Sequence, residues 1–296
     1  MYLATLIAPT NGPRFSQREI DQIATTLGAN AADADWLAEG MAADLPLGKV
    51  PAADTIAAAR SNAAELGLDL VVQEAAGRRK RFLIADMDST MIEQECIDEL
   101  AAEVGIKDRI AAITARAMNG EIAFEPALRE RVGLLSGLSE MVVEKVIAER
   151  ITYAAGGRTL LATMRKDGAH TALVSGGFTV FTGPIGAALG FHENRANRLI
   201  AKDGKLTGEV GEPILGAEAK VTALHEIAAA NGLSPADAIA VGDGANDLPM
   251  LKLAGTGVAL HAKPTVAASA PHRVDRGDLT ALLYIQGYRQ NEFVAA

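Results

Sequence analysis

Hydrophobic positions change their period several times along the chain, and each change marks an element. Tyr2 to Ala8 reads as a strand. Ser16 to Leu27 reads as a helix, with Ser16 as N-cap and Glu19 three places on, the pattern of a capping box. Trp36 to Leu45 reads as one strand, Asp54 to Leu66 as an alanine-rich helix stopped by Gly67, and Leu68 to Gln73 as a strand. The order β-α-β-α-β makes residues 1–76 a small α+β unit. Gly77-Arg78-Arg79-Lys80-Arg81 follows as a solvated junction, a reading preferred at this length to a nucleic-acid patch.

A second region begins with the buried-type strand Phe82 to Ala85, which runs straight into Asp86. From Ile97 to about Leu161 apolar residues recur at spacings of three and four, as in Ile110, Ile113 and Ala117, and the block is helical. It interrupts the alternation directly after the first strand, so an insertion over about 93–162 would sit above the strand ends as a lid. Ala172 to Val174 is the next strand and Ser175-Gly176-Gly177 the turn after it. Asp203-Gly204 centres a hairpin over Leu199 to Val210. A helix spans Ala219 to Ala230, and short strands lie at Ala238 to Val241, Val258 to Leu260 and Arg273 to Val274. The expected fold is α/β: a doubly wound, mainly parallel sheet over 77–296 with a helical cap, preceded by the small α+β unit.

Composition narrows the function classes. Of 296 residues 49% are hydrophobic and 4% aromatic, which predicts an aliphatic core. The net charge of −9, without a long basic tract, disfavours nucleic acid and anionic membranes as partners. No apolar stretch reaches membrane-spanning length, and the first residues lack the basic start of a signal peptide. The single cysteine, Cys96, excludes an internal disulfide, fits the reducing cytoplasm, and reads as a core residue rather than a nucleophile. Edge strands of the first unit could pair two chains as a homodimer.

The candidate chemistry lies in three stretches: Asp86-Met87-Asp88-Ser89-Thr90, Ser175-Gly176-Gly177 and Gly242-Asp243-Gly244-Ala245-Asn246-Asp247. The first and third follow apolar strands, which places carboxylates at strand ends, where open α/β sheets build sites. A carboxylate attacking phosphorus needs a cation against charge repulsion, donors for the phosphoryl oxygens and an acid for the leaving oxygen. Asp86 is assigned as nucleophile and metal ligand, and Asp88 as general acid and then base and also as a metal residue. Asp243 is assigned to the metal. Ser175, Gly176 and Gly177 supply donors, and Lys220, between the second and third stretches, neutralises charge. Asn246 either donates to phosphate or positions Lys220; Asp247 is an orienting residue, a helix N-cap, or both. An all-oxygen set without a His or Cys cluster points to Mg²⁺ rather than zinc.

These stretches resemble the four motifs of the haloacid dehalogenase superfamily, and over about residues 80–285 the resemblance is to its phosphoserine phosphatase branch. Glu95, nine positions after Asp86, Phe124-Glu125-x-x-Leu128-Arg129-x-Arg131-Val132 and Val174-Ser175-Gly176-Gly177-Phe178 are similar to that branch's further signatures. The resemblance implies Mg²⁺-dependent hydrolysis of O-phosphoserine, the last step of serine biosynthesis. It also implies that Glu95 engages the substrate ammonium, Arg131 its carboxylate, and Phe124 its body, with Met118 nearby. Read from the residues alone, Arg131 on an apolar stripe with Phe124, Leu128 and Leu135 needs an anionic partner, either a substrate or a structural one such as Glu95 or Glu121. Residues 1–76 are similar in kind to ACT-like regulatory units. The rival readings are the same chemistry on another small phosphate ester or acceptor, and a non-catalytic amino-acid sensor built on the same scaffold.

Overall fold

The computed structural model describes residues 1–118 and 121–295, apart from the side chains of Ala117 and Met118. The first sheet contains β1 (Tyr2–Ile7), β2 (Asp35–Ala38), β3 (Ala42–Leu47) and β4 (Asp69–Glu74), in the order β2-β3-β1-β4 and antiparallel throughout. Helices α1 (Gln17–Leu27) and α2 (Ala53–Glu65) complete this layer. The Ser16–Glu19 capping box forms as the sequence predicts. The single strand expected over Trp36 to Leu45 is instead a hairpin, so the unit has four strands. Gly40, at φ +70°, takes the left-handed turn conformation, and Met41 N–H closes the turn on the Ala38 carbonyl at 2.9 Å. The sheet is fastened to the rest of the chain by Asp69. Its carboxylate accepts backbone N–H groups from Asp275, Arg276 and Gly277 at 2.9, 3.1 and 2.7 Å.

The second sheet has β5 (Phe82–Ala85), β6 (His170–Phe178), β7 (Glu193–Lys202), β8 (Lys205–Gly211), β9 (Ala238–Gly242), β10 (Thr256–Leu260) and β11 (His272–Val274). Their order is β11-β10-β9-β5-β6-β7-β8, parallel except for β8. The chain steps outward from β5 to β6 and β7, then returns to place β9 on the other side of β5. That reversal opens a crevice at the carboxyl ends of β5 and β9. Strand alternation assigns the two faces. Phe82 and Ile84 pack with α9 (Ala217–Ala230) and α10 (Leu248–Leu253), whereas Leu83 and Ala85 pack toward α7 (Gly157–Lys166), α8 (Thr179–Leu189) and α12 (Ala281–Ile285). Helix α11 (Pro264–Ser269) follows β10.

Between β5 and β6 the expected helical block resolves into α3 (Cys96–Glu103), α4 (Lys107–Met118), α5 (Phe124–Gly133), α6 (Met141–Arg150) and α7. The last of these packs along β6 and α8, so the expected boundary at residue 162 falls inside a helix of the sheet layer. The linkers entering and leaving α3–α6 run as an antiparallel ribbon. Glu93 N–H bonds the Thr152 carbonyl and Ala154 N–H the Met91 carbonyl, both at 3.0 Å. A further correction concerns Ser175-Gly176-Gly177, which is not a turn but part of β6. There the register with β7 shifts, and three residues of β6 face Ala196 alone.

Candidate active site

The floor of the crevice is a buried charge cluster. Asp86 follows β5 directly, and its N–H bonds the Val241 carbonyl of β9 at 3.0 Å. From the first turns of α9 comes Lys220, 2% exposed, whose Nζ lies 2.7 Å from Asp86 Oδ1 and 2.5 Å from Asp247 Oδ1. The other Asp247 oxygen accepts Gly244 N–H at 2.9 Å. A Cβ on Gly242 would come within 2.4 Å of Asp247 Cγ, so that close approach requires glycine. Asp247 occupies the N-cap position of α10 but spends its side chain on Lys220 and Gly244 rather than on a cap. Of the two roles left open for Asn246, the structure shows no hydrogen bond to Lys220 among the described residues; the Lys220 ammonium lies between Asp86 and Asp247.

Charge in this cluster is unbalanced. Oxygens of Asp86, Asp243 and Asp247 lie within 4.8 Å of one another, three carboxylates against the single Lys220 ammonium. Burial and then the Asp247 charge push the Asp86 carboxyl well above the carboxylate range, against the pull of Lys220. Asp243 rises to about 6 for the same two reasons, although Thr90 donates to it at 3.2 Å. Burial disfavours the Lys220 ammonium, but Asp86 and Asp247 outweigh it and hold the group above the ordinary lysine range. A divalent cation with hard oxygen ligands would cancel the two surplus negative charges, so the donor set fits such an ion.

The Asp88 carboxylate, expected among the metal ligands, faces another way. Its Oδ1 accepts the Cys96 N–H at 2.9 Å and its Oδ2 the Ser175 hydroxyl at 3.4 Å, leaving its carboxylate outside the compact cluster formed with Asp247. Burial raises its pKa, opposed by the Cys96 N–H. Ser175 Oγ in turn accepts Gly177 N–H at 2.8 Å. Gly177 is packed closely, since a Cβ there would lie 2.8 Å from Asp88 Oδ2.

Opposite this floor stand residues of α3 to α5, enclosing a cleft of about 530 Å³. Glu95 accepts the Ser89 hydroxyl at 2.8 Å. Desolvation by the cleft walls, followed by repulsion from Asp88, pushes its pKa to about 7. The Arg131 guanidinium bonds the Ala127 carbonyl and the Thr114 hydroxyl, each at 3.3 Å, and makes no ion pair among the described residues. The structural partners considered for it do not take that role: Glu121 lies beside Arg116 at 3.9 Å, and Glu95 acts on Arg131 only as a more distant charge. Leu135 lies beyond the end of α5, so the predicted stripe is shorter than expected. Phe124, 38% exposed, borders the cleft with Gly176 and Gly216 close to its ring. The expected place of Met118 falls on a side chain outside the described residues.

The structure thus brings Asp86, Asp88, Glu95, Phe124, Arg131, Ser175, Gly176, Gly177, Asp243 and Asn246 to one cleft, with Lys220 and Asp247 beneath. Sequence reasoning missed Thr90, Cys96 and Thr114, and also Lys263 and Thr265 on the wall beyond β10. The signal for the last two was available, because they follow a strand whose carboxyl end meets the same crevice.

The haloacid dehalogenase-like hydrolase family model matches residues 83–252. A phosphoserine phosphatase of Streptomyces coelicolor is 42% identical over 238 residues, covering 80% of this chain and 58% of that protein. A haloacid dehalogenase family hydrolase of Salmonella enterica serovar Typhi superposes with a TM-score of 0.86 at 30% identity, covering 96% of this chain and 98% of the other. A phosphoserine phosphatase structure containing a phospho-aspartyl intermediate analogue superposes with a TM-score of 0.65 at 41% identity, covering 70% and 98%. No described helix is long and apolar enough to cross a membrane. From its fold, its carboxylate-lined crevice and these matches, the chain belongs to the haloacid dehalogenase-like hydrolase family.

Proposed function

We propose that the protein hydrolyses O-phosphoserine to serine and phosphate through phosphorylated Asp86, in the cytoplasm, as the last step of serine biosynthesis. The observation that carries this reading is the Arg131 guanidinium, held by two neutral oxygens and no carboxylate, in the same cleft as Glu95 and the Asp86–Lys220 floor. A half-buried cation without an anionic partner is costly, and an incoming carboxylate supplies one. One cleft then offers a cation for the substrate carboxylate, an anion for its ammonium and, at its floor, the Lys220 ammonium beside a carboxylate set suited to a divalent cation for its phosphate. Relatives that act on phosphoserine support the same assignment.

In the proposed sequence an Asp86 oxygen bonds to phosphorus as the bond to the serine oxygen breaks. Asp88 gives its proton to that oxygen. It then takes a proton from water, whose oxygen attacks phosphorus and releases Asp86. Lys220 and Ser175 hold the phosphoryl oxygens, with the Gly176 and Gly177 backbone and Asn246 beside them. Phe124 covers the substrate and excludes water. Asp86 and Asp243 would hold Mg²⁺ with Asp247 in reach, and the ion supplies positive charge where two anions meet. Residues 1–76 are proposed as a small regulatory unit, 77–296 as the catalytic region and the inserted helices α3 to α6, between the two paired linkers, as its cap.

The test compares phosphate release from phosphoserine and from phosphoethanolamine, which lacks the carboxylate, with Mg²⁺ or with EDTA. Arg131→Ala is expected to lower kcat/KM for phosphoserine roughly 10- to 100-fold, the value of a charge-assisted hydrogen bond. Phosphoethanolamine turnover should barely change. Equal losses on both substrates would refute the carboxylate assignment, and release that ignores EDTA would refute the metal.

A further inference from the structure

The register shift in β6 takes Ser175, Gly176 and Gly177 out of the regular ladder with β7. A buried carbonyl that leaves a ladder still needs a donor. Asn197, the β7 residue paired with Phe178 just past the shift, provides it. Its Nδ2 donates to the Gly176 carbonyl at 2.8 Å and to the Leu215 carbonyl at 3.2 Å, while its Oδ1 accepts Leu215 N–H at 2.7 Å. The side chain is 1% exposed, and both its donor and acceptor ends are used.

Those partners belong to two different parts of the site. Gly176 adjoins Ser175, which bonds Asp88. Leu215 precedes Gly216, the residue that opens α9, and α9 carries Lys220 in its early turns. Gly216 also lies beside Phe124, where an added Cβ would stand 3.5 Å from the ring. The Asn197 amide therefore fixes the bulged segment of β6 relative to the start of α9, and so the spacing of Ser175 and Lys220.

We infer that Asn197 is a positioning residue for phosphoryl binding, acting through Gly176 and Leu215 without touching substrate. The inference rests on the proposed reading that Ser175 and Lys220 receive the phosphoryl group. Misplacing such groups by about 1 Å costs on the order of 100-fold in rate. Nothing in the sequence singles Asn197 out, because its role arises from a register shift that hydrophobic pattern does not encode.

Orthovanadate, a mimic of phosphorus in transfer, is the probe, with Mg²⁺ present. Its inhibition constant and the melting temperature are measured for the wild type, Asn197→Ala, Ser175→Ala and the double variant. Asn197→Asp, which keeps the acceptor and the volume but loses both donors, is measured alongside. The expected result is inhibition weakened roughly 10- to 100-fold in Asn197→Ala and in Asn197→Asp, with much of that loss absent when Ser175 is already alanine. A folded Asn197 variant that binds vanadate as the wild type does would overturn the inference. So would a loss of equal size in both Ser175 backgrounds, since a general structural defect adds independently. Failure of both Asn197 variants to fold would also overturn it, making the residue a requirement of the fold. Unchanged inhibition in Ser175→Ala alone would instead refute the phosphoryl reading beneath it.

Discussion

Replacing Lys220 with methionine removes an ammonium from between two buried carboxylates while keeping a side chain of similar length. The ammonium sits 2.7 Å from Asp86 and 2.5 Å from Asp247, on a side chain 2% exposed. At an effective dielectric of 20 each attraction is about 6–7 kcal/mol. Desolvation of the ammonium offsets much of this, and breaking such buried pairs costs about 3–5 kcal/mol net. For a chain of this size that corresponds to a melting temperature lower by roughly 6–20 °C. Mg²⁺ should raise the melting temperature of the variant more than that of the wild type, because the carboxylates Asp86, Asp243 and Asp247 then lack their internal cation. Turnover of phosphoserine should fall by about 100- to 1,000-fold, the range for removing a preorganised charge from a phosphoryl site. The assays are thermal unfolding with and without Mg²⁺, and phosphate release. A variant that melts with the wild type and keeps more than about a tenth of its turnover would refute the electrostatic reasoning.

Other outcomes follow from the same geometry. Glu95, pushed up to about 7, must be ionised to hold an ammonium, so KM for phosphoserine should fall as pH rises through 7. Glu95→Gln should remove the part of that slope due to Glu95, and a phosphate ester without an amino group should show the same pH dependence, that of its own phosphate, in both proteins. Gly177→Ala would place a Cβ 2.8 Å from Asp88 Oδ2 and 3.0 Å from Ser175 Oγ. Turnover should drop at least about 10-fold with melting nearly unchanged, and full activity would show that the two side chains need not be held there. In metal-free protein the raised folded-state pKa values of Asp86 and Asp243 mean that the folded state binds more protons than the unfolded state. The contribution of these two groups to stability should therefore decline as pH rises from about 4 through 6, so Mg²⁺ should raise the melting temperature more at pH 6 than at pH 4, and a Mg²⁺ effect that shrinks across that window would contradict the charge imbalance.

Much of the site was legible because its chemistry is anchored at strand ends. Asp86 and Asp243 each follow a short apolar strand, and the strand order places them side by side. Lys220 was legible only by its place between two motifs, since a buried lysine and an exposed one look alike in a helical stretch. What stayed hidden depends on backbone groups and register. Asp88 is held by a backbone N–H of Cys96, which any residue but proline could supply. The hairpin between β2 and β3 interrupts its apolar run only at Glu39-Gly40, too briefly to mark a turn by pattern. The Ser175 segment reads as a glycine turn, yet neither following glycine has positive φ; Gly177 is small because Asp88 Oδ2 stands against it. Arg131 required the structure, because the absence of an ion pair cannot be read from spacing.

Covalent phosphorylation at position 86 is the step on which the proposed reaction depends most. Enzyme quenched during turnover of phosphoserine and treated at once with borohydride reports it directly, because reduction of an aspartyl-phosphate leaves homoserine. Peptide mass spectrometry should find homoserine at position 86, dependent on both substrate and Mg²⁺. Aspartate intact at 86 in enzyme actively releasing phosphate, or homoserine at position 88 or 243 instead, would contradict the account.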